Sequence, residues 1–519
     1  MPLLDIPEEL VVAILLELPL HDLATLLKVG NWQLCDTISH SAAIQYHIQQ
    51  QVARVRVNPL AFERGMSLTE RSEALRTREQ RWFGFSPSRR VDIILPASPD
   101  DIRGYTVDDL YIVRHRLDPL TLLGGSIDGV NLHGSQPRWR QIVESPTVVD
   151  FQVSSPSDLL LIVTRTPSPS LPNADIVQIE CYQLSTGEPH PRQSATLDIG
   201  LILDELDPDT DVEVVGTRLA VALIFPEAVD TSNNLLYVLD WESGKPLRDP
   251  LPITTTAFTF IDANTLLLVS PRALKLVRCG AEDDGGVSFL LPALAPRCRM
   301  LPHTAQASSG LWSPITPNSN PPTRSRSPFL VDDNPLLVNS QFMLWTSRRN
   351  ELLARFAAAA SKVDIPFAEW GPASSRFLDL TSPWQNPCTS LAGQRYVSIA
   401  VEDHDTPVPV VVHDFTPTTV RRVRRLLADN PAALDSETAK IRIVEADANA
   451  PPSEQQQQQF HCPAIEPAER VVSQMAYVEI TSTERFAFDA VHINNTCIIG
   501  DKVRGRDDDD DMIQVLYFG

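Results

Sequence analysis

Three alternating aspartates in this 519-residue sequence have a spacing that could bind a metal ion. Asp207, Asp209 and Asp211 have the spacing of the first ligands in an EF-hand calcium loop. Such a loop needs glycine at its sixth position and glutamate at its twelfth, where this sequence has Val212 and Arg218. We therefore expect a solvated loop there, and no calcium ion.

Other motifs of catalysis and ligand binding are missing from the sequence. It contains no Gly-rich phosphate loop, no H-E-x-x-H, no C-x-x-C and no G-x-S-x-G element. The polar run Glu402-Asp403-His404-Asp405 could supply metal ligands, but no second cluster completes a coordination shell, so a polar turn is preferred. We expect no catalytic residue, no cofactor and no metal ion, and a protein that is not an enzyme.

Basic and aromatic residues could also form binding sites. The run from Arg421 to Arg425 could be an import signal or an anion site, although an exposed edge is the preferred interpretation. Tryptophans near the ends of predicted strands could line a binding face, but we expect most of them to pack between sheets. These tryptophans are Trp139, Trp241, Trp345, Trp370 and Trp384.

Composition limits the partners and the compartment. The net charge of −22 argues against general binding of nucleic acid or of anionic membranes, because both need a basic face. The seven cysteines are widely spaced, and no signal peptide precedes them. We expect reduced thiols in a protein of the cytoplasm and/or the nucleus.

Most of the chain has the texture of β structure. From about Val91 onward, short apolar runs alternate with clusters of Pro, Gly, Asn, Asp and Ser. Residues 148–187 and 218–244 repeat the same order of strands and end in similar turns at Gly187 and Gly244, and residues 258–279 resemble a third unit. Repeats of this length, each with several strands, predict a large all-β domain, a β-propeller of six to eight blades.

Three segments interrupt the predicted strands, and one strand ends the sequence. Residues 280–327 and 440–462 are rich in Pro, Ser or Gln and are expected to be disordered insertions. Residues 504–511 predict a charged hairpin tip. The alternating residues 511–518 predict a strand that joins a sheet, closing the ring beside an early strand such as 91–95.

The first 90 residues predict short helices. The apolar residues between Leu10 and Leu18 have helical spacing, and Pro7 suits a helix start. A second helix is expected to begin near Asp22, a third to include Trp32, and a fourth to cover residues 40–51. Ser67 and Glu70 have the spacing of a capping box before a linker helix over residues 68–82.

The apolar pattern of the first 32 residues resembles the F-box. In that family the motif binds a Skp-type adaptor and, through it, a cullin. The resemblance implies an F-box helical module at 1–50, a helical linker at 51–90 and a β-propeller-like domain at 91–519. The residues that carry the pattern, and that the resemblance implies for adaptor binding, are Leu4, Ile6, Pro7, Leu10, Ile14, Leu15, Leu18, Leu23, Leu26, Val29 and Trp32.

Further segments extend the resemblance to F-box proteins of the mushroom lineage of fungi. They are the linker helix, the turn at Gly187, and residues 365–378, 412–422 and 484–500. The resemblance implies a substrate receptor of a cullin-type (SCF) ubiquitin ligase, with an unknown protein substrate on the β domain, no nucleic acid and no membrane. An F-box scaffold outside any ligase remains open, as does, less favoured, a propeller hydrolase.

Overall fold

A computed structural model of the chain gives the fold. It describes residues 6–57, 66–95, 102–108, 111–117, 125–134, 137–145, 147–171, 174–193, 196–203, 208–225, 234–254, 257–270, 272–280, 286–292, 302–307, 329–331, 335–340, 343–359, 363–379, 391–399, 406–446, 473–502 and 512–519.

Four short helices begin the described part of the chain, and we call them the N-terminal helices. They are α1 (Glu8–Leu16), α2 (Leu20–Val29), α3 (Trp32–His40) and α4 (Ala42–Ala53). Gly30 ends α2 with a φ of 75°, and the Asn31 side chain caps α3 by accepting hydrogen bonds from two backbone N–H groups.

The start of α2 corrects the sequence-based prediction. The sequence predicts a start near Asp22, but the helix begins at Leu20, with Pro19 at the cap position and Asp22 in the first turn. Proline has no N–H and a fixed φ, so it ends the preceding helix and suits the start of the next one. Asp22 instead places a negative charge near the positive end of the helix dipole.

A short strand and a long helix connect these helices to the β structure. They are β1 (Val55–Val57), α5 (Leu68–Phe83) and then β2 (Arg89–Ile94). The predicted capping box is confirmed, because Ser67 Oγ accepts from Glu70 N at 3.3 Å and the Glu70 carboxylate accepts from Ser67 N at 2.7 Å.

Strands dominate the rest of the described chain. They are β3 (Ile102–Val107), β4 (Tyr111–Leu117), β5 (Gly125–Asn131), β6 (Trp139–Ser145), β7 (Val148–Ser154), β8 (Leu159–Pro167), β9 (Ala174–Gln183), β10 (Leu197–Leu203), β11 (Asp209–Val215), β12 (Arg218–Ile224), β13 (Leu235–Asp240), β14 (Lys245–Pro246), β15 (Leu251–Pro252), β16 (Ala257–Asp262), β17 (Thr265–Val269), β18 (Ala273–Arg278), β19 (Val287–Leu290), β20 (Pro302–Ala307), β21 (Phe329–Val331), β22 (Pro335–Ser340), β23 (Met343–Arg348), β24 (Val363–Ile365), β25 (Ser375–Asp379), β26 (Leu391–Ala392), β27 (Arg395–Ile399), β28 (Val408–Asp414), β29 (Ala439–Val444), β30 (Tyr477–Phe486), β31 (Ala490–Ile493), β32 (Cys497–Lys502) and β33 (Met512–Tyr517). Three helices lie among them, α6 (Arg349–Ala358), α7 (Phe367–Ser374) and α8 (Pro417–Asp429), with single 3-10 turns at Ser155–Ser157 and Pro431–Leu434.

The described strands form seven sheets of four or five strands and one two-stranded pair of β1 with β21. In chain order the larger sheets are blade 1 (β3–β6), blade 2 (β7–β10), blade 3 (β11–β15), blade 4 (β16–β19 with β24), blade 5 (β20, β22, β23 and β25), blade 6 (β26–β30) and blade 7 (β31–β33 with β2).

Each blade packs on the next, and the last packs on the first. Apolar clusters join blades 1 and 2, 2 and 3, 3 and 4, 5 and 6, 6 and 7, and 7 and 1. Blades 4 and 5 contact each other through β16 and β20. A closed ring of sheets around an axis is a β-propeller, so the predicted fold class is confirmed and the number of sheets lies within the predicted six to eight.

The ring closes by pairing both ends of the β region in blade 7. Strand β2 runs antiparallel to β33, with Val91 opposite Val515, and β33 pairs with β32 on its other side. The predicted closing strand is thus confirmed. One sheet thus contains strands from both ends of the β region and ties them together by backbone hydrogen bonds.

The two predicted turns with glycine are also confirmed. Gly187 follows β9 with a φ of 82°, and Gly244 follows β13 with a φ of 69°. These are the third strands of blades 2 and 3. A Cβ atom added at Gly187 would lie 2.1 Å from the carbonyl oxygen of Ile142, so both the backbone conformation and the space require glycine.

Both predicted insertions need correction. Strands β19 and β20 lie within 280–327, where β19 pairs with β18 and β20 pairs with β22. Strand β29 begins within one residue of the predicted start at 440 and pairs with β30. The average composition of these segments concealed short strands whose backbones are paired. Residues 308–328 and 447–472, and the predicted tip at 504–511, lie outside the described residues.

Candidate docking surface

The N-terminal helices enclose a small apolar core of their own. Side chains from all four helices meet there, because the apolar residues recur at helical spacing. The fully buried members are Val11, Leu15, Leu23, Leu34, Ile38 and Ile44. So small a core leaves little stability in reserve, and the helices must rely on further contacts.

A second set of apolar side chains on the same helices points into solvent. We call it the N-terminal apolar surface, and it consists of Leu10, Ile14, Leu27, Val29 and Trp32. Val29 and Trp32 are 68% and 74% exposed. Eleven large apolar side chains are exposed among the described residues, and five of them belong to this surface. Such a concentration is typical of an interaction site.

The structure separates the residues that the F-box pattern implies for adaptor binding. Exposed members are Pro7, Leu10, Ile14, Val29 and Trp32, and half-buried members are Ile6, Leu18 and Leu26. Leu15 and Leu23 are each 1% exposed. We therefore assign them to the core of the N-terminal helices and not to contact with the adaptor. Leu4 lies outside the described residues. The pattern did not include Leu27, whose exposure no sequence signal distinguishes from that of its apolar neighbours.

Hydrogen bonds fix the N-terminal helices to each other and to helix α8, which packs on blade 6. Gln51 Nε2 donates to the carbonyl oxygen of Leu18 at 2.9 Å, joining α4 to the loop after α1. Thr418 Oγ1 in α8 donates to the carbonyl oxygen of Val52 at 2.7 Å. The apolar surface is therefore carried on a unit in contact with the propeller.

Helix α5 binds this unit to the closing blade. Its Trp82 is 1% exposed and stacks on Phe518, with ring centroids 4.2 Å apart. Arg78 Nη2 donates to the carbonyl oxygen of Asn495 at 2.9 Å. The sequence predicts a linker here, and the structure shows a helix packed against blades 6 and 7.

The solvated loop expected at the alternating aspartates is wrong for Asp209 and Asp211, because both lie in a strand. Asp209 and Asp211 lie in β11, Asp207 is outside the described residues, and so is the run 402–405. Within the described residues no three His, Cys, Asp or Glu side chains are placed to hold a metal ion. In the same part of the chain, no helix is long and apolar enough to cross a lipid bilayer.

The tryptophans behave mostly as predicted. Trp241 packs between blades 2 and 3, Trp370 packs under blade 4, and both are fully buried. Trp139 is half-buried between blades 7 and 1. The side chain of Trp345 and all of Trp384 lie outside what the structure describes.

The basic run at 421–425 lies in helix α8, and its four arginines are exposed, as the preferred interpretation had it. Two of its arginines have partners in the fold. Arg424 Nε donates to Glu445 Oε1 at 2.9 Å, and the guanidinium of Arg422 lies 3.8 Å from the centre of the Phe83 ring. These contacts explain part of the run as attachment of α8 to blade 6 and α5.

Blade 6 contains a hydroxyl, an imidazole and a carboxylate on neighbouring strands. Ser398 Oγ lies 2.9 Å from His413 Nε2, and Glu479 Oε1 lies 3.9 Å from His413 Nδ1. The second distance is beyond a hydrogen bond. Burial lowers the pKa of His413 to about 4, so this imidazole is neutral and weakly basic near neutral pH. These three side chains are best described as part of the packing between blades 5 and 6.

A carboxyl group links blades 3 and 4 near the axis. Glu213 in β11 accepts hydrogen bonds from Thr259 Oγ1 and Phe260 N, both at 2.6 Å. Burial raises the pKa of Glu213 to about 8, and the negative charge of Asp211 adds to the rise. The carboxyl therefore holds its proton in the folded chain at neutral pH.

The raised pKa of Glu213 predicts that the stability of the fold depends on pH. From the ordinary Glu pKa of 4.5 up to about 8, the folded state binds a proton that the unfolded state releases. The free energy of unfolding should therefore fall as the pH rises through that range. Glu213→Gln replaces the carboxyl group by an amide that carries no charge at any of these pH values. The free energy of unfolding of this variant should therefore fall less between about pH 5 and about pH 9, measured by urea denaturation. The control is Glu188→Gln, at an exposed turn, which should leave the pH dependence of the free energy of unfolding unchanged.

Comparisons with known proteins give only remote similarities. No family model matches the chain, and no curated protein matches it. The CNH domain of AfRom2 is 9% identical over 83% of this chain and 100% of that chain, with a TM-score of 0.31. Pyrococcus horikoshii acylaminoacyl peptidase is 10% identical over 67% of this chain, with a TM-score of 0.31. A prolyl endopeptidase is 10% identical over 60% of this chain, with a TM-score of 0.29. The matched regions span 48% and 38% of these two peptidases.

Proposed function

We propose that this chain is the substrate-receptor subunit of a cullin-type ubiquitin ligase. Its N-terminal helices act as an F-box that binds a Skp-type adaptor, and its propeller binds a protein target. The observation that carries the proposal is the exposure of Leu10, Ile14, Leu27, Val29 and Trp32 on these helices.

Energetics favour a protein partner on this surface. Burying one large apolar side chain contributes roughly 1.5–3 kcal/mol, and several on one small unit suffice for a stable complex. The residues that hold the helices together are different ones, since Leu15 and Leu23 are already buried. The unit can therefore bind without unfolding.

The role of such a chain is to position other molecules. An adaptor on the helices and a target on the propeller would be held by one body, because α5 packs on blades 6 and 7. That arrangement raises the effective concentration of the target near a ubiquitin-loaded enzyme. The proposal requires no catalytic residue in this chain, and it places the protein in the cytoplasm or the nucleus.

Substitution of the apolar surface should abolish co-purification with the adaptor. Val29→Asp with Trp32→Asp removes two exposed apolar side chains and adds charge to the surface. At roughly 1.5–3 kcal/mol each, the loss should weaken binding by about a hundredfold or more. Leu171→Asp is the matched control, because Leu171 is 49% exposed in the propeller. Equal recovery of adaptor with all three proteins would contradict the proposal.

A second experiment separates a ligase receptor from a scaffold. The chain is expressed in cells with and without the Val29→Asp/Trp32→Asp change, and proteins bound to its propeller are analysed for ubiquitin. A receptor should increase ubiquitination of a bound protein only when the apolar surface is intact. Bound proteins with unchanged ubiquitination would favour the scaffold.

A further inference from the structure

Two arginines and one aspartate lie on one face of blade 1. Arg114 in β4 is 1% exposed and donates through Nη2 to Asp128 Oδ2 in β5 at 3.3 Å. Arg116, two residues further along the strand, lies on the same face, and its Nε is 3.5 Å from the same oxygen. Ser126 Oγ donates to the other oxygen of Asp128 at 3.1 Å. A single carboxylate therefore faces two guanidinium groups.

Several N–H donors at this place have no acceptor among the described residues. Arg114 Nε, Arg114 Nη1 and Trp139 Nε1 are buried and form no hydrogen bond with any described residue. The three groups lie together, because the Arg114 guanidinium is 4.4 Å from the centre of the Trp139 ring. Buried donors in folded proteins almost always have an acceptor, and leaving one without costs roughly 1–3 kcal/mol.

The described residues around this cluster supply no compensating charge. This face of blade 1 packs on blade 7 through apolar side chains, among them Ile93, Ile112 and Ile513. Asp128 balances one of the two arginines, so the cluster keeps one excess positive charge in a chain whose net charge is −22. Burial also lowers the pKa of Arg114 although Asp128 opposes that change. The cluster is thus a cationic site with free donors between two apolar surfaces.

We propose that the interface of blades 7 and 1 binds a small phosphate-type oxyanion at Arg114, Arg116 and Trp139. The anion would accept from a free N–H group of Arg114 and from the indole N–H, and it would neutralise the excess charge. A hydrogen bond between a guanidinium and an oxyanion joins two charged groups, so it is stronger than a neutral one. This site is independent of the adaptor-binding proposal.

The exposure of the two arginines shows how an anion could reach the site. The Arg116 side chain is 41% exposed while that of Arg114 is 1% exposed, so the cluster extends from solvent into the interface. The donors to the anion all belong to blade 1, on the face that packs against blade 7. Binding should therefore stabilise the propeller at the junction between its first and last blades, by mass action on the folded state.

Thermal unfolding in the presence of inorganic phosphate tests the site. The full-length wild type, Arg114→Met and Arg90→Met are compared in phosphate and in chloride at equal ionic strength. Wild type should show a saturable rise in melting temperature with phosphate, and Arg114→Met should show none. Arg90→Met is the matched control, because Arg90 pairs with Glu484 at the surface and its loss should leave the response intact. In chloride, Arg114→Met should be at least as stable as wild type, because it removes a buried charge that is incompletely paired.

Equilibrium dialysis with labelled phosphate gives a second readout. Wild type should bind one phosphate per chain, and Arg114→Lys, which keeps the charge but replaces the guanidinium by a single ammonium group, should bind about tenfold more weakly or worse. If Arg114→Met does not fold, this lysine variant still tests the proposal. A water molecule in the same place would give wild type no saturable response to phosphate. That result, or an equal response in the Arg114 variants, would overturn the proposal.

Discussion

Deleting residues 512–519 is expected to destroy the cooperative fold of the propeller. The deletion removes β33, which lies between β2 and β32 in blade 7, and five buried side chains at Ile513, Val515, Leu516, Tyr517 and Phe518. At roughly 1.5–3 kcal/mol each, their loss amounts to about 7–15 kcal/mol, as large as the whole stability of a typical domain. The truncated chain should aggregate or lose its calorimetric unfolding transition.

A matched control removes a similar length of chain without touching a strand. Residues 503–511 connect β32 to β33, and replacing them with a short Gly-Ser linker leaves all strands of blade 7 intact. This variant should melt near the wild-type temperature. A truncated chain that also melts near that temperature would show that β33 does not close the ring.

Trp82→Ala should be among the most destabilising single substitutions. Trp82 is 1% exposed and stacks on Phe518. The guanidinium carbon of Arg395 lies 5.0 Å from the centre of the Trp82 ring. Removing a buried tryptophan side chain costs about 3–5 kcal/mol, because the cavity closes only in part. The change should lower the denaturant midpoint and loosen α5 from blades 6 and 7.

The control for this prediction lies on the same helix. Leu68 is in the first turn of α5 and is 40% exposed, so Leu68→Ala should change the free energy of unfolding far less. Hydrogen exchange would show whether the amides of α5 lose protection in Trp82→Ala. A free energy of unfolding equal to that of wild type would mean that α5 is only a tether.

The sequence predicts the architecture well because period and turn chemistry are local signals. Alternation over residues 511–518 predicted the closing strand, and the glycines after β9 and β13 marked turns with positive φ. The capping box before α5 was visible as Ser67 and Glu70. These features depend on neighbours within a few positions, so a single sequence can specify them.

The remaining features depend on contacts between distant segments. Strand β20, with the sequence PHTAQA, has little apolar character and is defined by its pairing with β22. At the N-terminus, helical periodicity is not enough to assign roles, because Ile14 and Leu15 are adjacent apolar residues, yet one is 43% exposed and the other is 1% exposed. Periodicity identifies an apolar face, but only the packed structure shows which part of it is left for a partner.

The central claim is that the N-terminal apolar surface binds a Skp-type adaptor, and direct titration of the purified proteins tests it. Calorimetry of the wild-type chain with the adaptor should give a saturable complex of one adaptor per chain, with micromolar or tighter affinity. Trp32→Asp, which charges the most exposed residue of the surface, should weaken that affinity strongly, and Leu171→Asp should not. No binding by the wild type, or equal binding by Trp32→Asp, would contradict the account.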